Sequence, residues 1–292
     1  MKPAPFTYHR PEDLTEALTL LAQHGDDAVI IAGGQSLVPL LRLRLAQPGH
    51  VISLRGIPSM STLLVDQDGV HIGAAVTYSQ FQRTDTATRA CPGVSMAIEL
   101  IATPQVRTRG TLCGNLCQAD PASELPAMAL ILDARFHLSS TRGTRVVEAS
   151  DFFQGPYQTA RQSDEILTRV HFPPRAAEET IAIQEVSRLR GGFPMSGVAV
   201  AFTRSADAND LRMVRIASFG VDSVQARCHQ AELILEGQNY ADSTLAAASV
   251  ALLASIHPHA DSFASEEYRR AATKTLFLRS MAQAYGGREA QP

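Results

Sequence analysis

Ala32-Gly33-Gly34-Gln35-Ser36-Leu37-Val38-Pro39 follows directly on Ala28–Ile31, an apolar run with the length and composition of a buried strand. Paired glycines at a strand end let the chain turn through positive φ and bring backbone amides close to a ligand. Successive N–H groups in such a turn form an anion-binding nest, and Ser36 adds a hydroxyl donor. A diphosphate is the natural occupant. A tight turn without a ligand is the plain alternative, and this segment alone supports both equally. The GxGxxG and GxxxxGK[ST] patterns are absent here.

About eighty residues further on, Arg109-Gly110-Thr111-Leu112-Cys113-Gly114-Asn115-Leu116-Cys117-Gln118-Ala119-Asp120-Pro121-Ala122-Ser123-Glu124 crowds small residues, a hydroxyl, an amide and two carboxylates together. Such density leaves little room for a hydrophobic face, so the stretch reads as a loop wrapped around a polar cofactor. Carboxylates beside a nucleotide commonly accept from ribose or ribityl hydroxyls. Without a ligand, Asp120-Pro121 would simply start a turn, and Glu124 would sit in the first turn of a helix, favoured by its dipole. Asp120 is read as partly a turn residue, Glu124 as more ligand than cap.

Outward from these segments the chain alternates. Pro11 opens a helical pattern with Leu14, Ala17, Leu18 and Leu21 on one face, and Gly25 stops it. Strands are expected at 28–32, 51–54, 70–74, 135–138, 145–148 and 166–172, and helices near 78–83, 94–101 and 124–132. Pro173-Pro174 and the polar residues after it read as a linker. Beyond it, strands at 181–187, 197–204 and 211–219 precede three helical stretches between 224 and 284. Strands followed by helices indicate a small α+β domain. The expected division is 1–175, in parts of about 1–56 and 57–175, then 176–285 and a tail at 286–292.

A net charge of −3 with a pI near 6.3 gives no electrostatic case for nucleic acid or a membrane surface. The apolar runs are too short to span a bilayer, and Met1-Lys2-Pro3-Ala4-Pro5 lacks the apolar core of a signal peptide, so a cytoplasmic protein is expected. Cys113 and Cys117 at i, i+4 raise metal or redox chemistry. Iron–sulfur clusters generally need four ligands, and Cys91 and Cys228 are remote in sequence, so buried thiols are favoured. The nine histidines show no HExxH or paired-ligand spacing, and no metal ligand is assigned. Arg42 and Arg44 are equally compatible with a phosphate, a partner or solvent.

Ala32–Pro39 resembles the AGGxSLxP segment, and Thr111–Pro126 the TxGGxLxxADPxxELP segment, of the FAD-binding medium subunits of molybdenum hydroxylases, the carbon monoxide dehydrogenase and xanthine dehydrogenase family. Lys2–Phe6, Asp151–Gly155, Asp164–Leu167 and Glu185–Arg188 extend the resemblance over nearly the whole chain. It implies an α+β protein: a two-part FAD-binding domain of the vanillyl-alcohol-oxidase-like (PCMH) type, then a small α+β domain. It further implies that Ala32, Gly33, Gly34, Gln35, Ser36 and Leu37 hold the FAD diphosphate. Thr111, Cys113, Gly114 and Asn115 would surround the diphosphate and ribityl, with Asp120 and Glu124 nearby. Leu167 matches a cofactor-contacting leucine, Ile101 precedes a loop that approaches the cofactor, and Phe193 falls where relatives place an aromatic beside the isoalloxazine.

The implied activity is electron relay within an oxidoreductase, with no catalytic residue on this chain. Electrons would come from [2Fe-2S] clusters on a small partner, fed by a molybdopterin centre on a large one, in a heterotrimer or its dimer. They would leave to an external acceptor. Two departures stand out. Cys113 replaces a usual glycine, which would strain the backbone if φ there were positive. Gly192 replaces a frequent aspartate. The rival readings are a stand-alone FAD oxidase with its own substrate pocket, a reductase of the peptidoglycan-precursor kind, and a nucleotide-binding regulator. No histidine adjoins either glycine segment to carry a covalent flavin link, which weighs against the first.

Overall fold

The computed structural model describes residues 2–176, 178–205 and 210–286, so the expected tail lies outside the described residues from 287 onward. In chain order the first elements are β1 (Thr7–His9), α1 (Leu14–His24), β2 (Ala28–Ile31), α2 (Leu37–Leu43), β3 (His50–Ser53), β4 (Leu63–Asp66) and β5 (Gly69–Gly73). Next come α3 (Tyr78–Gln82), α4 (Asp85–Ala90), α5 (Pro92–Leu100), α6 (Pro104–Arg107), α7 (Leu112–Gln118) and α8 (Glu124–Ile131). They are followed by β6 (Arg135–Ser140), β7 (Gly143–Glu148), α9 (Ala149–Phe152), β8 (Phe153–Gly155), β9 (Gln158–Thr159) and β10 (Ile166–Phe172). The chain then runs through β11 (Thr180–Ser187), β12 (Pro194–Arg204), β13 (Leu211–Phe219), α10 (His229–Leu235), α11 (Asp242–Ser255) and α12 (Glu266–Gly286).

Two compact units share these elements, and neither is a single stretch of chain. The first comprises Met1–Ala90, Thr103–Ala119 and Ala134–Pro173, the second Cys91–Ala102, Asp120–Asp133 and Pro174–Pro292.

The first unit holds a parallel sheet in the order β1-β3-β2 and an antiparallel sheet in the order β4-β5-β10-β6-β7. Helix α1 starts where the Asp13 carboxylate accepts the Glu16 N–H at 2.8 Å, and stops at Gly25 with φ 51°. Its buried stripe of Ala17, Leu18 and Leu21 packs toward β2 and β3. In the second sheet Phe136 stacks on Phe152 with centroids 3.8 Å apart.

The second unit is built on the antiparallel sheet β11-β12-β13. Val198, Val200 and Phe202 alternate along β12 and join a core with Leu252 and Phe277, residues of α11 and α12. Helices α5 and α8 pack on the same sheet, with small residues such as Ala199 and Ala201 on the intervening β12 positions. Helix α8 is buried at every position, so its first residue, Glu124, is buried with it.

One expectation is corrected outright. The polar segment after Gly110 is not a loop throughout, because Leu112–Gln118 is helical. The Thr111 hydroxyl accepts the Gly114 N–H at 3.0 Å and caps the helix, and Leu112, Cys113 and Leu116 form the apolar face that the composition concealed.

Candidate flavin site

Strand β2 ends where the chain must turn, and Gly34 does so with φ 74°, a conformation that side-chain-bearing residues rarely adopt. Gly33 is glycine for a second reason. A Cβ there would collide with the Arg109 carbonyl oxygen and lie 2.8 Å from Gly110 Cα. At Gly114 a Cβ would lie 2.6 Å from Thr111 Oγ1 and 4.0 Å from Ala32 Cβ. The two glycine segments, about eighty residues apart in sequence, therefore meet backbone to backbone in the first unit.

The second segment is held from behind. Tyr78 N–H donates to Gly110 O at 3.1 Å, Leu112 N–H donates to Val76 O at 3.3 Å, and Thr77 forms an antiparallel bridge with Thr111. On the first segment, the backbone amides of Gly34, Gln35 and Ser36 have no acceptor among the described residues, and Ser36 makes no side-chain cap. A cavity of about 390 Å³ opens against this turn, lined by Tyr8, Gly33, Gly34, Gln35, Arg55 and Arg109 among others. Free backbone donors, two guanidinium groups and glycines that no Cβ could replace are the donor set a diphosphate needs. The residues fit the group.

Tyr8, Arg55 and Arg109 were not singled out as cavity residues by sequence reasoning. The arginines that were, Arg42 and Arg44, do not line this cavity; Arg44 ends α2 with φ 57° and its Nε donates to Lys2 O at 3.4 Å. Arg55 lies two residues beyond β3 and Arg109 directly before Gly110, and it is the fold that brings both to one cavity.

Cys113 lies in the first turn of α7, and no positive φ is found there. The strain considered for a side chain at this position is absent because the backbone is helical. Its thiol is buried, donates to Ile72 O at 3.4 Å, and burial pushes its pKa up; that of Cys117 rises to about 11 by burial. Buried, protonated thiols are poor ligands and nucleophiles. Asn115 follows in the same helix, whose C-cap, Ala119, has φ 48°. Leu167 is buried in β10 opposite Leu138, beside a bulge.

Ile101, Asp120, Glu124 and Phe193 belong to the second unit. The Asp120 carboxylate accepts the Ala122 N–H at 2.9 Å, the turn bond foreseen for it. Glu124 is 5% exposed; burial first, then the Glu185 carboxylate, raises its pKa to about 8. Burial raises Glu185 to about 7, and its Oε2 is buried without a partner. A cavity of about 430 Å³ is lined by Glu99, Leu100, Glu185, Ser187, Arg190 and Gly191. Gly191, with φ 73°, leaves no room for a Cβ against the Ala102 carbonyl, which brings the Arg190–Phe193 turn beside Ile101 and Ala102. Phe193 is 75% exposed. Glu185 is a candidate group that sequence reasoning passed over, though its segment was quoted for the resemblance. An unpartnered buried carboxyl oxygen is a place for a ligand hydroxyl.

Residues 4–175 match the family model described as the FAD binding domain in molybdopterin dehydrogenase, and residues 182–284 match the CO dehydrogenase flavoprotein C-terminal domain. The chain belongs to the molybdopterin dehydrogenase FAD-binding family. It is 37% identical over 239 residues to the caffeine dehydrogenase subunit beta of Pseudomonas sp., covering 82% of this chain and 80% of that one. With the nicotine 6-hydroxylase medium subunit of Paenarthrobacter nicotinovorans it shares 36% identity, covering 97% and 99% of the two chains. A solved structure of carbon monoxide dehydrogenase from Hydrogenophaga pseudoflava superposes with a TM-score of 0.94 at 32% identity, covering 98% and 99%. This family member is thus an FAD-binding flavoprotein subunit of a molybdenum-containing oxidoreductase, with the α+β fold of the medium subunit. No helix among the described residues is long and apolar enough to cross a membrane.

Proposed function

We propose that the chain holds the FAD diphosphate on residues 32–37 and 111–115, as one of three kinds of subunit. The other two would be a large molybdopterin subunit and a small iron–sulfur subunit, in a heterotrimer or its dimer. The observation that carries this reading is the backbone contact of the two glycine segments beside amides that lack acceptors. Bound FAD would supply the exchange of electrons between a partner's iron–sulfur clusters and an external acceptor.

The chain's own residues bind and orient. In the first unit the Gly34–Ser36 amides would donate to phosphate oxygens, with Arg55 and Arg109 balancing charge, and Leu167 would offer an apolar contact. In the second, Glu124 would accept from a cofactor hydroxyl, with Asp120 nearby, while Ile101 and Phe193 would offer apolar surface. The division into a FAD-binding domain at 1–175 and a C-terminal domain at 176–285 belongs to the same proposal. Gly34→Val tests it: the purified variant should carry little or no flavin per chain, because the turn could no longer form. Full flavin content in that variant would overturn the assignment of this turn.

A further inference from the structure

The nine histidines carry no ligand spacing in the sequence, yet the fold brings three of them together. His9 ends β1, His50 opens β3 and His24 ends α1. Strands β1 and β3 pair in parallel with Thr7 opposite His50 and His9 opposite Ile52. His9 and His50 therefore share one face of the sheet, while Tyr8 and Ser53, which line the glycine-turn cavity, point to the other. His24 follows Leu21 by three residues and so continues the buried stripe of α1.

At this end of the helix–sheet layer, three imidazoles stand where apolar residues would continue the packing. His24 and His50 stack with centroids 3.5 Å apart, and His9 lies 5.1 Å from His50 and 5.4 Å from His24. His9 Nε2 and His50 Nδ1 are 2.8 Å apart, a hydrogen bond that requires one protonated and one bare nitrogen. One ligand nitrogen from each ring lies within 4.8 Å of the others, and all three side chains are half-buried.

We propose that His9, His24 and His50 form a site for one divalent transition-metal ion of the zinc class. Imidazole nitrogens bind zinc at about 2.0–2.1 Å, so three ligands of a tetrahedral ion stand roughly 3.3 Å apart. The His9–His50 pair must open by about half an ångström, and His24 must turn about its χ2 to aim a nitrogen inward. Water supplies the fourth ligand. Zinc takes neutral imidazole nitrogens, and each of the three rings offers one. Asp27, whose Oδ1 accepts the Gly49 N–H at 2.8 Å, contributes negative charge at the rim. A bound ion would tie the end of α1 to β1 and β3. The other histidine group, His71, His137 and His171, is a poorer host, because Arg135 and Arg169 act on it as like charges.

The test uses the full flavin-loaded chain, stripped with chelator and dialysed against Zn2+. About one zinc per chain should be retained and the melting temperature should rise with zinc concentration. His24→Asn and His9→Asn should each weaken zinc binding by at least about 100-fold, the upper range for loss of a mere outer-shell partner. Their flavin content, unchanged, reports an intact fold. His137→Asn should leave zinc binding as it was. A measurement without variants is the visible absorption of Co2+ bound to the wild-type chain, displaced by one equivalent of Zn2+. Zinc retained equally by His24→Asn, or a wild-type chain with no stoichiometric zinc and no displaceable cobalt band, overturns the proposal.

Discussion

Glu124 shows how a single buried carboxyl bears on the stability of the fold, and it carries a test of the proposed cofactor contact. Its folded pKa of about 8 lies far above the ordinary carboxyl value of 4.5. Between those values the folded chain keeps a proton that the unfolded chain has released, so stability falls as pH rises through the interval and levels off above it. Glu185 adds the same trend up to about 7. In the flavin-free chain, Glu124→Gln should therefore flatten the dependence of melting temperature on pH and raise it at the alkaline end. Parallel wild-type and variant profiles would refute the shift. In the flavin-binding assay Glu124→Ala should weaken affinity by about 0.5–1.5 kcal/mol, the range for a lost hydrogen bond to an uncharged group, since the carboxyl keeps its proton at neutral pH. Gly33→Val, measured by flavin absorbance per chain, should lose the cofactor, because its Cβ meets backbone at Arg109 and Gly110 that cannot move aside.

At the scale of elements, α7 carries two further predictions. Thr111→Val removes the oxygen that caps Gly114 N–H, which should cost about 1 kcal/mol and lower flavin affinity, with Thr111→Ser restoring both. Ala119 ends the same helix at φ 48° and ψ 44°, so Ala119→Gly should stabilise the chain by roughly 0.5–1 kcal/mol in denaturant unfolding. This helix also shows what the sequence made legible and what it hid. Long periodic elements were readable: the helix ending at Gly25, the strands at 166–172 and 211–219, and the α+β order of the last third. Helix α7 was not, because seven residues with a glycine, an asparagine and two cysteines look polar and loop-like until the positions of Leu112, Cys113 and Leu116 are seen to share a face. The glycine turn was legible because a strand followed by Gly-Gly has few backbone solutions. Its arginines, Arg55 and Arg109, were not, since nothing in local sequence says that two distant loops meet. The histidine trio was hidden for the same reason: it depends on parallel register between β1 and β3 and on the length of α1.

At the scale of the whole molecule, the proposed relay rests on the company of other chains. The described cysteines are free and largely buried, Cys91 with a pKa pushed up to about 12 and Cys228 to about 11, each chiefly by burial. Such thiols do not offer thiolates to a cluster. On the proposed reading electrons reach the flavin from another chain, and a permanent contact of that kind usually buries more than about 2,000 Å² of rather apolar surface. Large apolar side chains stand exposed on each unit, Leu43 and Leu45 on the first, Leu189 and Phe193 on the second. Expressed alone, the chain should bind FAD non-covalently, oxidise no organic substrate and aggregate readily; co-expression with large and small partners should relieve the aggregation. In the reconstituted assembly, adding substrate should bleach the flavin absorbance of this chain. Removing only the small partner should abolish that bleaching while leaving flavin content intact, because the iron–sulfur connection is lost and the binding site is not. Substrate turnover by the isolated chain, or a stable monomer that ignores both partners in size-exclusion chromatography, would show that the cofactor serves a reaction of this chain's own.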